Sequence, residues 1–261
     1  MRNLLKLFIV LCFAGTLVGC SSSSDKMEKD VALKAGPENE VEVMYNKAAD
    51  ALDAKEYRQA VSLFQDVERE YPFSVWAKRA ELMSAYALYK AQIYQDAILA
   101  LDRYINLHPG SDGTEYALYM KALCYYEQIS DVARDQAMTK DALDALGVLI
   151  RRYPNGRYAR DARLKRDLAL DHLAGKEMEI GRYYLTRGHT NAAIGRFRIV
   201  VQNFQTTTHV AEALHRLVES YLTLGIKEEA FNVAAVLGYN YPGSVWYERS
   251  YELLDDKQRA R

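Results

Sequence analysis

Few residues in this sequence are placed to do covalent chemistry, and Cys20 is the best placed of them. It closes the string "LVGC", after Arg2, Lys6 and an apolar run from Leu7 to about Leu17. That is the layout of a secretory signal, too short to cross a membrane as a helix. Leu17, Val18, Gly19 and Cys20 fit a bacterial lipobox, in which the cysteine is lipidated and becomes the first mature residue. Residues 1–19 are then removed. Several acyl chains on Cys20 would anchor the protein without a spanning segment, because one chain alone holds only marginally. Ser21 stands where an Asp would mark retention in the inner membrane, so the expected place is the outer membrane, facing the periplasm.

The other reactive side chains are scattered. Cys12 leaves with the leader and Cys124 stands alone in "ALCYY", so the mature chain can form no internal disulfide. An apolar setting of that kind reads Cys124 as a small buried residue. His108, His172, His189, His209 and His215 include no pair at metal-ligand spacing with a third ligand, and there is no His-Glu-x-x-His. Asp255-Asp256 sits at a helix end, where both carboxylates are solvated. No catalytic residue, metal or cofactor is expected. Without Arg2 and Lys6 the chain holds 32 basic residues against 35 acidic ones, a net charge of −3 that gives no reason to expect nucleic-acid binding.

The elements come next. Residues 20–40, a candidate lipidated Cys followed by "SSSSDKMEKDVALKAGPENE", have few large apolar groups and read as a tether. From about Val41 to about residue 255 the apolar pattern is helical. Two strings repeat far apart in it, "YPFSVW" at 71–76 and "YPGSVW" at 241–246. Pro72, Pro109, Pro154 and Pro242 each end a helical stretch, and twelve residues before them stand Ala60, Ala97, Ala142 and Ala230. Ala193 to Gln205 keeps the spacing without the Pro. Four residues after the Ala comes a bulky apolar group, Phe64, Leu101, Leu146 or Phe197, on the same helix face. Two residues after each Pro stand Ser74, Ser111, Gly156 and Ser244, all tolerated at an N-cap. Each unit thus predicts a helix hairpin, with the Ala where two antiparallel helices approach closely.

This pattern resembles the tetratricopeptide repeat, with Ala in the second helix, an aromatic four on and Pro twelve on. The resemblance implies an all-α, right-handed α-solenoid of about five hairpins, closed by a polar-backed capping helix from about Val245 to Lys257. Trp76 and Trp246 are expected to start the helix after a joint and pack back on the helix just ended. Solenoids of this type line a groove with the first helix of each repeat, and in repeats one to three the groove positions fall on Tyr45, Leu82, Tyr86, Tyr89, Tyr119 and Tyr126. The tyrosines serve either as half-buried packing or as a surface for an extended aromatic segment. Arg151, Arg152, Arg157, Arg160, Arg163, Lys165 and Arg166, against Asp161 alone, form a basic run that is either a solvated face or a docking surface.

One stretch is more specific. "SDVARDQAMTKDAL" lies between the two helices of the third repeat, and "RRYPNGRYARDARLKRDLALDHLAGKEMEIGRYYLTRG" follows. With the lipobox and the five repeats, these strings resemble the BamD (YfiO/ComL) family of the outer-membrane β-barrel assembly (BAM) machine. The resemblance implies a non-enzymatic scaffold and receptor for unfolded outer-membrane proteins, bound at residues 41–127. It also implies that residues 128–258 dock on a POTRA domain of BamA and on other BAM lipoproteins. Arg196 matches an arginine that faces the POTRA domain in that family, and Arg198 is its neighbour; both flank the apolar stripe Ala193, Phe197, Val200, Val201 and Phe204. A lipidated repeat scaffold for pilus assembly or cell division is the alternative, and the "DVARDQ" insertion separates it from the first reading.

Overall fold

A computed structural model describes residues 37–129 and 136–259. Cys20, the signal, most of the tether and nearly all of "DVARDQ" lie outside them. Among the described residues there are eleven helices and no strand. Five hairpins follow in order: α1 (Pro37–Asp53) with α2 (Tyr57–Glu70), α3 (Val75–Lys90) with α4 (Tyr94–Leu107), α5 (Thr114–Tyr126) with α6 (Ala137–Arg152), α7 (Ala159–Thr186) with α8 (Thr190–Asn203), and α9 (Val210–Thr223) with α10 (Lys227–Asn240). Helix α11 (Val245–Arg259) packs on α9 and α10 as the cap. The first helices touch one another along the array, α1 against α3, α3 against α5 and α5 against α7.

The repeat periodicity is written in burial. Ala60, Ala97, Ala142, Ala193 and Ala230 have no exposed surface, nor do Phe64, Leu101, Leu146 and Phe197 one turn on. A methyl side chain at the crossing lets the helices close up, and the large group four residues later fills the space they enclose. In α7 the small residue is Gly181. A Cβ built there would lie 2.4 Å from Phe197 of α8, so the backbones meet where only hydrogen fits.

The joints between hairpins share one geometry. The helix-ending residues Tyr71, His108, Tyr153, Phe204 and Tyr241 all have φ between −134° and −126° and ψ between 41° and 66°. In each, the N–H three residues on donates back to that residue's carbonyl at 3.0–3.1 Å, from Ser74, Ser111, Gly156, Thr207 and Ser244. Phe204 turns identically although Gln205 replaces the Pro, so proline reinforces a turn that stacking already dictates. Four hairpins close on a left-handed residue, Lys55 (φ 64°), Gln92 (φ 60°), Gly188 (φ 76°) or Gly225 (φ 74°). Paired backbone bonds such as Lys55 N to Leu52 O and Glu56 N to Ala51 O cap the preceding helix there.

Several expectations are corrected. The first helix begins at Pro37, inside the segment read as tether, because a proline suits the first helical position. Ser74 and Ser244 do cap their helices, accepting from Ala77 N at 3.0 Å and Tyr247 N at 3.1 Å. Ser111 does not. Its hydroxyl bonds Tyr104 at 3.1 Å and α5 starts three residues later. Gly156 has no side chain to offer, and Glu115 of α5 accepts the Tyr158 N–H at 3.0 Å instead. The Trp76 ring packs, as expected, on the cluster that holds Phe64 and Val67 of α2 and also meets Tyr45 of α1 at 4.9 Å, and Trp246 packs with Leu237 of α10 and also meets His215 of α9 at 5.3 Å. Arg79 and Arg249, each three residues on, cover the outer ring faces at 5.2 and 5.0 Å. The twin strings therefore build the same joint. On the cap Glu248, Arg249 and Glu252 are exposed with Tyr251 among them, and a groove of about 400 Å³ between α10 and α11 is lined by Phe231, Ala234, Tyr247 and Leu254.

Candidate functional site

Tyr86 and Tyr89 are three residues apart on α3, and Tyr116 and Tyr119 repeat that spacing on α5, so each pair shares a helix face. Stacking α3 on α5 sets the pairs side by side. The Tyr86 and Tyr89 rings lie 6.4 Å apart, and Tyr94 of α4 continues from Tyr89 at 6.0 Å. Tyr158, in the joint before α7, stacks on Tyr119 at 4.7 Å and lies 5.5 Å from Tyr116. All of these rings are half-buried. Together they make a tyrosine ribbon from α3 to the start of α7, with Leu82 packed on the same core cluster.

Burial pushes the Tyr89 phenol up to about 12, helped by Glu127 and by the neighbouring Tyr94, Cys124 and Tyr86. Burial raises Tyr116 and Tyr119 further, and Asp161 adds to the effect on Tyr119. These hydroxyls remain protonated donors at any physiological pH. Tyr119 Oη donates to Asp161 Oδ2 at 2.5 Å, and that bond holds the Asp161 carboxyl below its ordinary value. Lys165 pairs with Asp161 at 3.1 Å and stands 5.5 Å over the Tyr126 ring.

Of the six groove positions read from the sequence, Leu82, Tyr86, Tyr89 and Tyr119 come together. Tyr126 joins them through Lys165 and Asp161. Tyr45 stands apart, held in the first joint by Phe64 at 5.4 Å and Trp76 at 4.9 Å. Tyr116 and Tyr158 were missed. Tyr116 carried a signal, one turn before Tyr119, whereas Tyr158 enters the ribbon only because the third joint folds over α5.

Arg196 and Arg198 sit on different sides of α8. Arg196 Nη1 donates to Glu177 Oε2 of α7 at 3.0 Å, within the chain. Arg198 is exposed on the rim of a groove of about 540 Å³ between α8, α9 and α10, lined by Val201, Tyr221, Val233 and Val236. The basic run is divided among local tasks rather than forming one face. Arg152 donates to the Pro109 carbonyl and Arg163 to the Pro154 carbonyl, tying two joints. Arg157 lies 5.8 Å over the Tyr158 ring, and Arg166 pairs with Asp167 at 3.0 Å. Arg151 and Arg160 are exposed. Among the described residues no group of three or more His, Cys, Asp or Glu side chains could hold a metal ion, and no helix is long and apolar enough to cross a membrane.

The chain matches the family YfiO, described as outer membrane lipoprotein, over residues 37–236. The outer membrane protein assembly factor BamD of Caulobacter vibrioides is 50% identical over 243 residues, 93% of this chain and 78% of that one. The protein of the same name from Rickettsia prowazekii is 43% identical over 257 residues, covering 98% and 99%. The one from Neisseria meningitidis serogroup A is 30% identical over 258 residues, covering 95% and 96%. The chain belongs to the YfiO family of outer membrane lipoproteins.

Proposed function

We propose that this chain is a scaffold and receptor of an outer-membrane β-barrel assembly complex, and that it works without catalysis. Its relatives bear the name outer membrane protein assembly factor. The observation that carries the reading is the tyrosine ribbon. Tyr86, Tyr89, Tyr116, Tyr119 and Tyr158 offer apolar ring faces along successive repeats. An extended client segment with aromatic side chains can stack on such faces and accept hydrogen bonds from the Tyr89 and Tyr116 hydroxyls, while the Tyr119 hydroxyl is committed to Asp161. The client is an unfolded outer-membrane protein, held by its aromatic-ended terminal strand.

In this reading Cys20 carries the lipid that holds the molecule on the periplasmic face of the outer membrane. The α8–α10 end takes a POTRA domain of BamA, and other BAM lipoproteins contact the same chain. Arg198, on the open groove, is as well placed for that contact as Arg196, whose guanidinium already shares Glu177. A planar guanidinium on a groove rim can hold a carboxylate through two hydrogen bonds.

Photo-crosslinking tests the ribbon. Crosslinking residues at Tyr89 and Tyr119 should capture unfolded barrel proteins. Leu99 of α4 and Val148 of α6, exposed on second helices, supply the control positions. Equal capture from Leu99 or Val148 would leave the ribbon as packing alone and overturn the proposal.

A further inference from the structure

The five joints repeat one geometry, so their tips can be compared position by position. Two residues after the helix-ending residue stand Phe73, Gly110, Asn155, Thr206 and Gly243. Four of the five are small or polar. Phe73 is large, apolar and as exposed as a side chain can be, at 101%. Val75 and Leu107 are exposed beside it, at 71% and 63%, on or next to a groove of about 710 Å³. The twin strings differ at this one residue, "YPFSVW" against "YPGSVW". Shared joint architecture therefore does not account for Phe73.

Joint one is also the edge from which the chain leaves toward Cys20. Helix α1 starts at Pro37, and Glu40 on its first turn accepts a hydrogen bond at 3.1 Å from Tyr71, two residues before Phe73. Residues 21–36 separate Cys20 from that edge, a span of at most about 60 Å even fully extended. Charges around Phe73 are mixed. Arg69, Lys78 and Arg103 line the groove with Glu68 and the buried Glu81, and Arg69 is paired to Asp66 at 2.5 Å, Arg103 to Glu68 at 3.0 Å and to Glu81 at 3.1 Å. This edge suits zwitterionic lipid, with apolar side chains as the contact and charges balanced around them.

We infer that Phe73 and Val75 seat in the headgroup boundary of the membrane that holds Cys20, and so orient the first hairpin with its joint edge toward the lipid. The inference rests on lipidation at Cys20. Two exposed apolar side chains bind a bilayer weakly by themselves. Beside a lipid anchor, the high local concentration of membrane makes their insertion effective, and aromatic and aliphatic groups lodge at this depth.

The twin strings supply the test. The full mature chain, reconstituted in phosphatidylcholine vesicles bearing an acyl-chain nitroxide, would carry a polarity-sensitive dye at Val75→Cys or at the matching Val245→Cys. Cys124 is buried, its thiol pushed up to about 12, and stays unlabelled. Dye uptake by the parent chain would mark an unmodified Cys20, which separates failure of the lipid reading from failure of this one. The dye at 75 should emit to the blue and be quenched several-fold more than at 245, and Phe73→Ser should bring it to the level at 245. Equal quenching at both positions would overturn the inference. So would quenching at 75 that persists without Phe73, or shielding of 75 that appears only when a partner protein is added.

Discussion

Gly181 decides a competition between two terms of opposite sign. Replacing it with Ala should help the isolated helix, since glycine in a helix interior is disfavoured by about 1 kcal/mol relative to alanine. In the folded chain the new methyl would sit 2.4, 2.8 and 2.9 Å from three carbons of the Phe197 ring. Carbon atoms in ordinary contact stand about 3.5–4.0 Å apart, so the ring would have to withdraw by more than about 1 Å. It has nowhere to go, because Phe197 has no exposed surface and is packed among Met178, Ala193, Val200 and Leu217. Overpacking of this kind costs about 1–3 kcal/mol, which outweighs the propensity gain or at least cancels it. Gly195 of α8 is the control, since a Cβ there would meet nothing within 4 Å. Urea denaturation followed by far-ultraviolet circular dichroism should show Gly195→Ala stabilised by up to about 1 kcal/mol and Gly181→Ala neutral or destabilised by up to about 2 kcal/mol. Phe197→Leu in the Gly181→Ala background should recover part of the loss, as contacting residues couple by about 0.5–3 kcal/mol. If Gly181→Ala stabilises as much as Gly195→Ala, the close approach of α7 and α8 is not what selects glycine at this position.

Lys55→Gly and Gln92→Gly relieve a left-handed backbone at two hairpin turns and should each raise stability by about 0.5–1 kcal/mol, measured by the same denaturation. His215 is buried against Trp246 and bonded to Ser250 at 2.8 Å, and burial lowers its pKa from the ordinary value of 6.5. The unfolded chain then takes up a proton that the folded chain refuses, so stability should be full above pH 6.5 and fall as the pH drops below it. His215→Gln should flatten that slope, and an unchanged profile would mean another group titrates. Arg198→Glu and Arg196→Glu should both weaken capture of BamA in a pull-down. Each should cost less than about 1 kcal/mol in the isolated chain, as Arg198 is exposed and Arg196 forms a partly exposed pair with Glu177. A loss of stability as large as that of Phe197→Ala, about 3–5 kcal/mol, would assign Arg196 to the fold instead.

The hairpins were legible because their signals are local and repeated. Ala60 and its counterparts, the bulky residue four later and the stop twelve later all act within one helix, where spacing along the chain is spacing in space. Features that depend on stacking were not. Ser74 and Ser111 hold the same place after a proline, yet one caps a helix and the other is taken by Tyr104, seven residues back on the helix before the joint. Tyr45 and Tyr89 look alike as groove residues, but Phe64 of its own hairpin and the Trp76 ring, arriving from the next repeat, hold Tyr45 in the first joint and out of the ribbon. Tyr158 enters from a joint 32 residues beyond Tyr126, with the segment between the third repeat's helices intervening. The irregular interval from Ala142 to Ala193 hinted at an insertion, but not that it would be absorbed as one continuous helix.

That helix, α7, runs 28 residues, about 42 Å at the usual rise, and serves two interfaces at once, with α6 before it and α8 after it. In a linear array each unit leans only on its neighbours, and melting can begin at an end and stop at any weak boundary. A rod shared by the third and fourth hairpins removes that boundary from the middle of the chain. Stripping α6 away exposes half of α7 and leaves the other half bound to α8, so neither part reaches a stable stopping point. The two ends of the molecule can fray separately, but its centre should unfold as one cooperative unit.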